Sequence, residues 1–167
     1  MFFCKKLSQN NKKKILLMLL IIITIIILIY MFFIMKNKKN YKLIISHQIT
    51  GQIYYQRNVK EGDILSFGWV HSFEHVDWNE YYRIENNQFV LFTIAVGGFG
   101  AGIPAEMDCT YRYENGLIYM ENIKGSVFRE FNWINSQKQL KFITIEDKVL
   151  LTGKDMPEHG RINLSIK

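Results

Sequence analysis

Hydrophobic positions along the chain fall into two regimes. From Ile15 to Met35 the sequence reads ILLMLLIIITIIILIYMFFIM, 21 residues with no charge and one threonine. A helix rises about 1.5 Å per residue, so this run spans a hydrocarbon layer of roughly 30 Å. Its β-branched residues are weak helix formers in water. In lipid, however, the backbone finds its hydrogen-bond partners only within the helix itself. A helix in the core of a globular protein keeps a polar stripe, and this run has none. It is also longer than the apolar part of a signal peptide, about 7–15 residues, and YMFFIMKNKKN offers no small-residue cleavage site. The expectation is an uncleaved transmembrane helix over 15–35, with a basic tail over 1–14 and a polar linker over 36–42.

From Tyr41 onward the pattern is different. Short runs of Ile, Val, Tyr, Phe and Trp alternate with polar residues and are divided by Gly, Asn and Asp. Alternation of this kind predicts strands, and turn residues at this spacing predict antiparallel pairing. The expected strands are 43–46, 52–56, 64–73, 78–85, 89–96, 109–114, 117–121, 128–134, 139–145, 149–152 and 162–166. ENNQ and YENGL are the clearest hairpin turns, since Asn-Gly tolerates the positive φ of a tight turn. The fold class expected for 43–167 is all-β, an antiparallel sandwich or partly closed barrel.

Two neighbouring strands carry the most chemistry. In the first, Leu65, Phe67, Trp69, His71 and Phe73 share a face; in the second, Trp78, Glu80, Tyr82 and Ile84 do. A four-residue loop over 74–77 would pair Phe73 with Trp78, His71 with Glu80, Trp69 with Tyr82 and Phe67 with Ile84. Each large apolar residue then meets another, and a slip of one residue would break every pair. In this register His71 and Glu80 form a cross-strand pair among aromatic rings. The pair reads either as a buried contact that fixes register or as the polar floor of a ligand pocket.

Charge and cysteines narrow the function. The net charge is +6, yet from Leu43 onward there are 12 Lys/Arg against 15 Asp/Glu. The basic surplus flanks the apolar run, so it suits a membrane surface and argues against nucleic acid as a partner. Five lysines precede the run and four follow it closely, a small difference. The acid-free tail favours that end inside the cell and the C-terminal domain outside. Cys4 and Cys109 lie on opposite sides of the run, so no disulfide framework is expected. The usage, rich in Ile, Asn and Lys, fits an AT-rich bacterial genome.

Three motifs invite a sharper reading. HSFEH, His71 to His75, matches the H-x-x-E-H pattern of some zinc peptidases. That chemistry needs both histidines on one face of a helix. On a strand they would stand roughly 13 Å apart, too far to share one metal ion. VGGFGAGIP, Val96 to Pro104, has neither the Lys-Ser/Thr of a phosphate-binding loop nor the spacing of a dinucleotide fingerprint, so no cofactor is expected. It reads as a wide turn or close backbone approach, or as an anion-binding nest, and would matter most if it lay over His71 and Glu80. Ser72 points away from His71 in the expected register, which disfavours a Ser–His nucleophile.

Taken in order, VHSFEHVDWNEYYRIE and GGFGAGIP resemble the bacterial family known as domain of unknown function 1850. That family's pattern is a strand ending in His-Ser-x-Glu, a Glu ahead of an aromatic-rich strand, and then Ser-Phe-Gly-Ala-Gly-x-Pro. It maps onto His71, Ser72, Glu74, Glu80, Phe99, Gly100, Ala101, Gly102 and Pro104, over roughly Leu43 to the C-terminus. Gly98 stands where a Ser is usual, and His75 falls at a variable position. The resemblance implies a non-enzymatic accessory or binding component beside the membrane subunits of TRAP-type solute transporters that use TAXI-class binding proteins. The alternatives are a structural or protein-interaction domain at the cell surface and, more remotely, a zinc-dependent hydrolase.

Overall fold

The computed structural model describes residues 9–36, 39–100, 102 and 107–167, without the side chains of 9, 10, 12 and 33–36. The chain forms two compact units, Met1–Lys38 and Lys39–Lys167.

In the first unit, α1 runs over Gln9–Lys36. Its segment Lys13–Phe32 has a mean hydropathy of 3.3 and is long and apolar enough to cross a membrane. Thr24, the polar side chain inside the apolar run, donates its hydroxyl to the Ile21 carbonyl at 2.7 Å. The helix thus satisfies that hydroxyl internally.

In the second unit the described residues form twelve strands in two antiparallel sheets that do not close into a barrel. One sheet has the order β2 (Ile53–Lys60), β1 (Asn40–His47), β12 (Arg161–Ile166), β9 (Glu130–Ile134). The other begins with β11 (Lys148–Leu151), β10 (Leu140–Ile145), β3 (Ile64–Val70) and β4 (Asp77–Glu85). It continues through β5 (Gln88–Val96), β7 (Leu117–Glu121) and β6 (Thr110–Glu114), and β8 (Val127–Phe128) pairs with β5. The two hairpin turns expected from sequence take the left-handed conformation at both central residues. Asn86 and Asn87 have φ of 49° and 62°, and Asn115 and Gly116 have 50° and 78°. This geometry matches the twist of the flanking strands.

Alternation divides each strand between core and outside. Leu65, Ile84, Phe89, Ile143 and Ile145 of the larger sheet join Leu43, Ile45, Ile162 and Leu164 of the smaller one in a single core, each at most 1% exposed. The sequence suggested one strand over 128–134. The structure breaks it at Arg129: β8 belongs to the larger sheet and β9 to the smaller one. Aromatic packing stabilises the crossing, with the Phe131 ring 4.8 Å from Tyr82, 4.8 Å from Phe89 and 5.6 Å from Phe128. Just beyond β9, the fully buried Asn135 donates its side-chain amide to the carbonyls of Gly153, Met156 and Pro157. That fastens the end of β9 to the short 3-10 turn Gly153–Asp155 and the loop after it.

Candidate functional site

The β3–β4 hairpin is the spine of the site, and its register differs from the expected one. Phe67 pairs with Glu80, Trp69 with Trp78 and Leu65 with Tyr82. Each strand is displaced by two residues, which preserves every face assignment while exchanging every partner. The expected His71–Glu80 pair is therefore not formed. The cause is the loop. Residues 71–76 close it instead of 74–77: the His71 N–H donates to the Val76 carbonyl at 2.8 Å and the His75 N–H to the His71 carbonyl at 2.9 Å. His75 takes a left-handed φ of 55° to complete this single helical turn. The stacked Trp69 and Trp78 rings, 5.6 Å apart and 21° from parallel, hold the strand ends together.

Glu80 finds other partners. The Trp78 indole N–H donates to one carboxylate oxygen at 3.0 Å and the Tyr82 hydroxyl donates to the other. No basic side chain among the described residues forms an ion pair with Glu80. Burial pushes its pKa above the ordinary carboxylate range, and the donors Tyr82 and Trp78 offset part of that rise. The Tyr82 hydroxyl is in turn held far above its usual range, first by burial and then by the Glu80 charge and hydrogen bond. A charge taken out of water is costly unless it is paired, and Glu80 has donors without a counter-ion.

This carboxylate lines a cleft of about 400 Å³ between the two sheets. Phe67, Trp69 and Tyr82 wall it from the larger sheet, and Phe131 and Trp133 from the smaller. Phe67 meets the Trp133 ring edge-on at 5.2 Å. Ser136 and Gln139 add polar groups to the lining, while Glu130 and Asn132 reach only its rim, their side chains bonded to each other and to Asn163 on the exposed face of β9. Volume and composition are those of a small-molecule pocket, apolar walls with a few placed polar groups.

The remaining motif residues gather elsewhere. His71 follows the end of β3 and stacks on Trp78 with ring centres 5.6 Å apart, and its Nδ1 accepts the Glu74 backbone N–H at 3.2 Å. Ser72 and Glu74 are exposed in the loop. Of the glycine stretch, Gly97 and Gly100 pack against that loop. A Cβ on Gly100 would come within 2.6 Å of the Glu74 carboxyl carbon, and one on Gly97 within 2.9 Å of Val76. Only glycine permits backbone to approach so closely. Phe99 is half-exposed, with its ring 6.3 Å from Tyr111, and Gly102 takes a positive φ of 91°. Ala101 and Pro104 lie outside the described residues. The histidines of HSFEH share one turn, in place of the extended 13 Å spacing expected from a strand, and no helix supports them. Among the described residues no three His, Cys, Asp or Glu side chains converge as a metal site.

The expected site residues thus divide. Glu80 belongs to the cleft; Ser72, Glu74, Phe99 and Gly100 belong to a loop cluster at the sheet end; His71 touches the cleft's edge through Trp78. Sequence reasoning missed Phe131 and Trp133, which reach the cleft from a strand more than 45 residues downstream of Glu80. Their only signal was the shared parity of Phe131 and Trp133 on one strand. Comparison with known proteins gives one match: residues 65–150 fit the family described as "Domain of unknown function (DUF1850)". No curated protein and no solved structure matches the chain. The matched stretch includes β3, β4, β9 and β10, the strands that contribute the cleft wall, and spans more than half of the sequence, so the chain belongs to the DUF1850 family.

Proposed function

We propose that the protein is a non-enzymatic binding domain held at the bacterial cell membrane by a single pass, and that it serves as an accessory component of a TRAP-type solute transporter. The observation that carries the binding part is the aromatic cleft with its carboxylate, which forms no ion pair among the described residues. A preformed pocket with one placed charge suits recognition. The apolar helix supports the anchor, and the acid-free lysine tail supports a C-terminal domain outside the cell. The transporter part rests on the resemblance set out from the sequence.

Two measurements test it. The full chain, extracted in mild detergent from its own cells, is expected to co-purify with a transporter membrane subunit. Solute uptake by that transporter is expected to fall when Glu80→Gln replaces the wild type at equal membrane abundance. Absence of the subunit, together with unchanged uptake, overturns the transporter role. A second reading, a cell-surface protein-interaction domain, is favoured by the loop cluster, where Phe73 is 75% and Phe99 49% exposed. A Phe73→Ser, Phe99→Ser double variant that loses the subunit while Glu80→Gln keeps it would favour that reading.

A further inference from the structure

The cleft's chemistry selects among ligand classes. Its one inward carboxylate is that of Glu80, and among the described residues no Lys, Arg or His lines it. Both oxygens of Glu80 already accept a hydrogen bond, one from the Trp78 indole and one from the Tyr82 hydroxyl. Two donors aimed at two oxygens serve an ionised carboxylate. Among the described residues no cation meets that charge.

An anionic ligand would meet Glu80 with repulsion, and a neutral one would leave the Glu80 charge uncompensated. A small inorganic cation needs several oxygen ligands in place of its water, and the described residues supply no such cluster. An alkylammonium group needs less. It is weakly hydrated, it takes one carboxylate as counter-ion, and it is attracted to the faces of aromatic rings within about 6 Å. Glu80 stands directly across the strands from Phe67, with Trp69 and Tyr82 on the same face and Trp133 facing them from the other sheet. A cavity of about 400 Å³ is of the size such small molecules occupy.

We infer that the cleft binds a small organic cation, a substituted ammonium whose charge is met by Glu80 and whose methyl or methylene groups lie against the rings of Phe67, Trp69, Tyr82 and Trp133. The inference deepens the proposed binding role and rests on it.

The test uses the full chain in maltoside micelles and its own fluorescence. All three tryptophans, Trp69, Trp78 and Trp133, either line the cleft or bond to Glu80, so each can report occupancy. The probes are choline, its uncharged carbon isostere 3,3-dimethylbutan-1-ol, and propionate, at constant ionic strength. Choline is expected to change the emission saturably, and the isostere and propionate to bind at least tenfold more weakly or not at all. Glu80→Gln is expected to weaken choline at least tenfold with its circular dichroism spectrum unchanged. Should that variant fail to fold, the isostere pair on the wild type decides alone. If the isostere or propionate binds as well as choline, or folded Glu80→Gln keeps wild-type affinity, the cation class is wrong while the cleft remains a binding site. If no probe gives a saturable change up to 100 mM, about the weakest binding a titration resolves, both the cation and the binding reading of the cleft fall.

Discussion

The cleft and the loop cluster sit along the same hairpin, yet they are built differently. The cleft takes its walls from both sheets, and half-buried rings enclose one carboxylate with assigned donors. The loop cluster holds most of the motif residues, but backbone contacts dominate it and its aromatic side chains face solvent. Dense motif spelling therefore marks where backbone geometry is demanding, at a left-handed His75 and at glycines pressed against a neighbouring loop. The chemistry lies one turn away, where residues distant in sequence converge. A binding site needs exclusion of water from several sides, and one hairpin supplies one side only.

If the cleft is the rigid partner of the two, substitutions in its walls cost most. Phe131→Ala removes the ring that joins Tyr82, Phe89 and Phe128 at the sheet crossing. A loss of about 3 kcal/mol is expected, at the low end of Phe→Ala costs because the ring is half-buried. Urea denaturation followed by circular dichroism reads it, and a loss near zero would mean that the crossing is held by other contacts. Next comes Asn135→Ala, which strips a donor from three carbonyls at the end of β9. Leaving buried acceptors short of a partner costs about 1–3 kcal/mol. Because β9 carries Trp133, this variant is also expected to shift the tryptophan emission before unfolding begins.

How much of this could be read from sequence depends on range. The strands between Leu43 and Ile166 follow from alternation and Asn-containing turns, signals within a few residues of each other. The face on which Glu80 lies followed too, since a displacement by two residues per strand leaves parity unchanged. Its partner did not. Trp69 opposite Trp78 satisfies the rule that large residues pair, but Phe67 opposite Glu80 does not, so pairing by size favours the register that the hairpin does not adopt. The choice lies in the loop, where a single helical turn closes 71–76. The expected strand 128–134 erred for a similar reason. Its apolar alternation is continuous, and its break at Arg129 exists only because two sheets compete for its halves. Phe131 and Trp133 therefore joined Glu80 only once the tertiary structure placed them.

Glu80 gives a smaller effect of opposite sign to the wall substitutions. Unfolded, it titrates in the ordinary carboxylate range; folded, it titrates higher because burial opposes the charge. Between those two values the folded state holds more protons, so its stability is fullest below the window and falls as pH rises through it. Glu80→Gln keeps the side-chain shape and removes the charge. The variant is expected to melt slightly above the wild type at pH 8, with the gap closing as pH falls below the ordinary carboxylate range, where wild-type Glu80 is protonated in both states. A paired Glu80 would behave otherwise, since breaking a buried ion pair at one end costs about 3–5 kcal/mol. A large loss at pH 8 would thus point to a cation partner and contradict the separation of Glu80 from His71.

The smallest effect expected belongs to the loop cluster, and it tests the register most directly. With a four-residue loop over 74–77, Phe73 would oppose Trp78 on the aromatic face, and Phe73→Ser would remove a packed ring. With the loop over 71–76, Trp69 occupies that place and Phe73 stands 75% exposed. An exposed ring in a loop makes few contacts to lose, so Phe73→Ser is expected to change stability by no more than about 0.5 kcal/mol. Trp69→Ala, by contrast, would break the stack on Trp78 and open the cleft wall. Measuring both by denaturant midpoint separates the registers with no knowledge of any ligand. Near-neutral Phe73 with costly Trp69 fits the loop-cluster and cleft division, whereas a costly Phe73 would move the hairpin by two residues per strand and bring His71 back opposite Glu80.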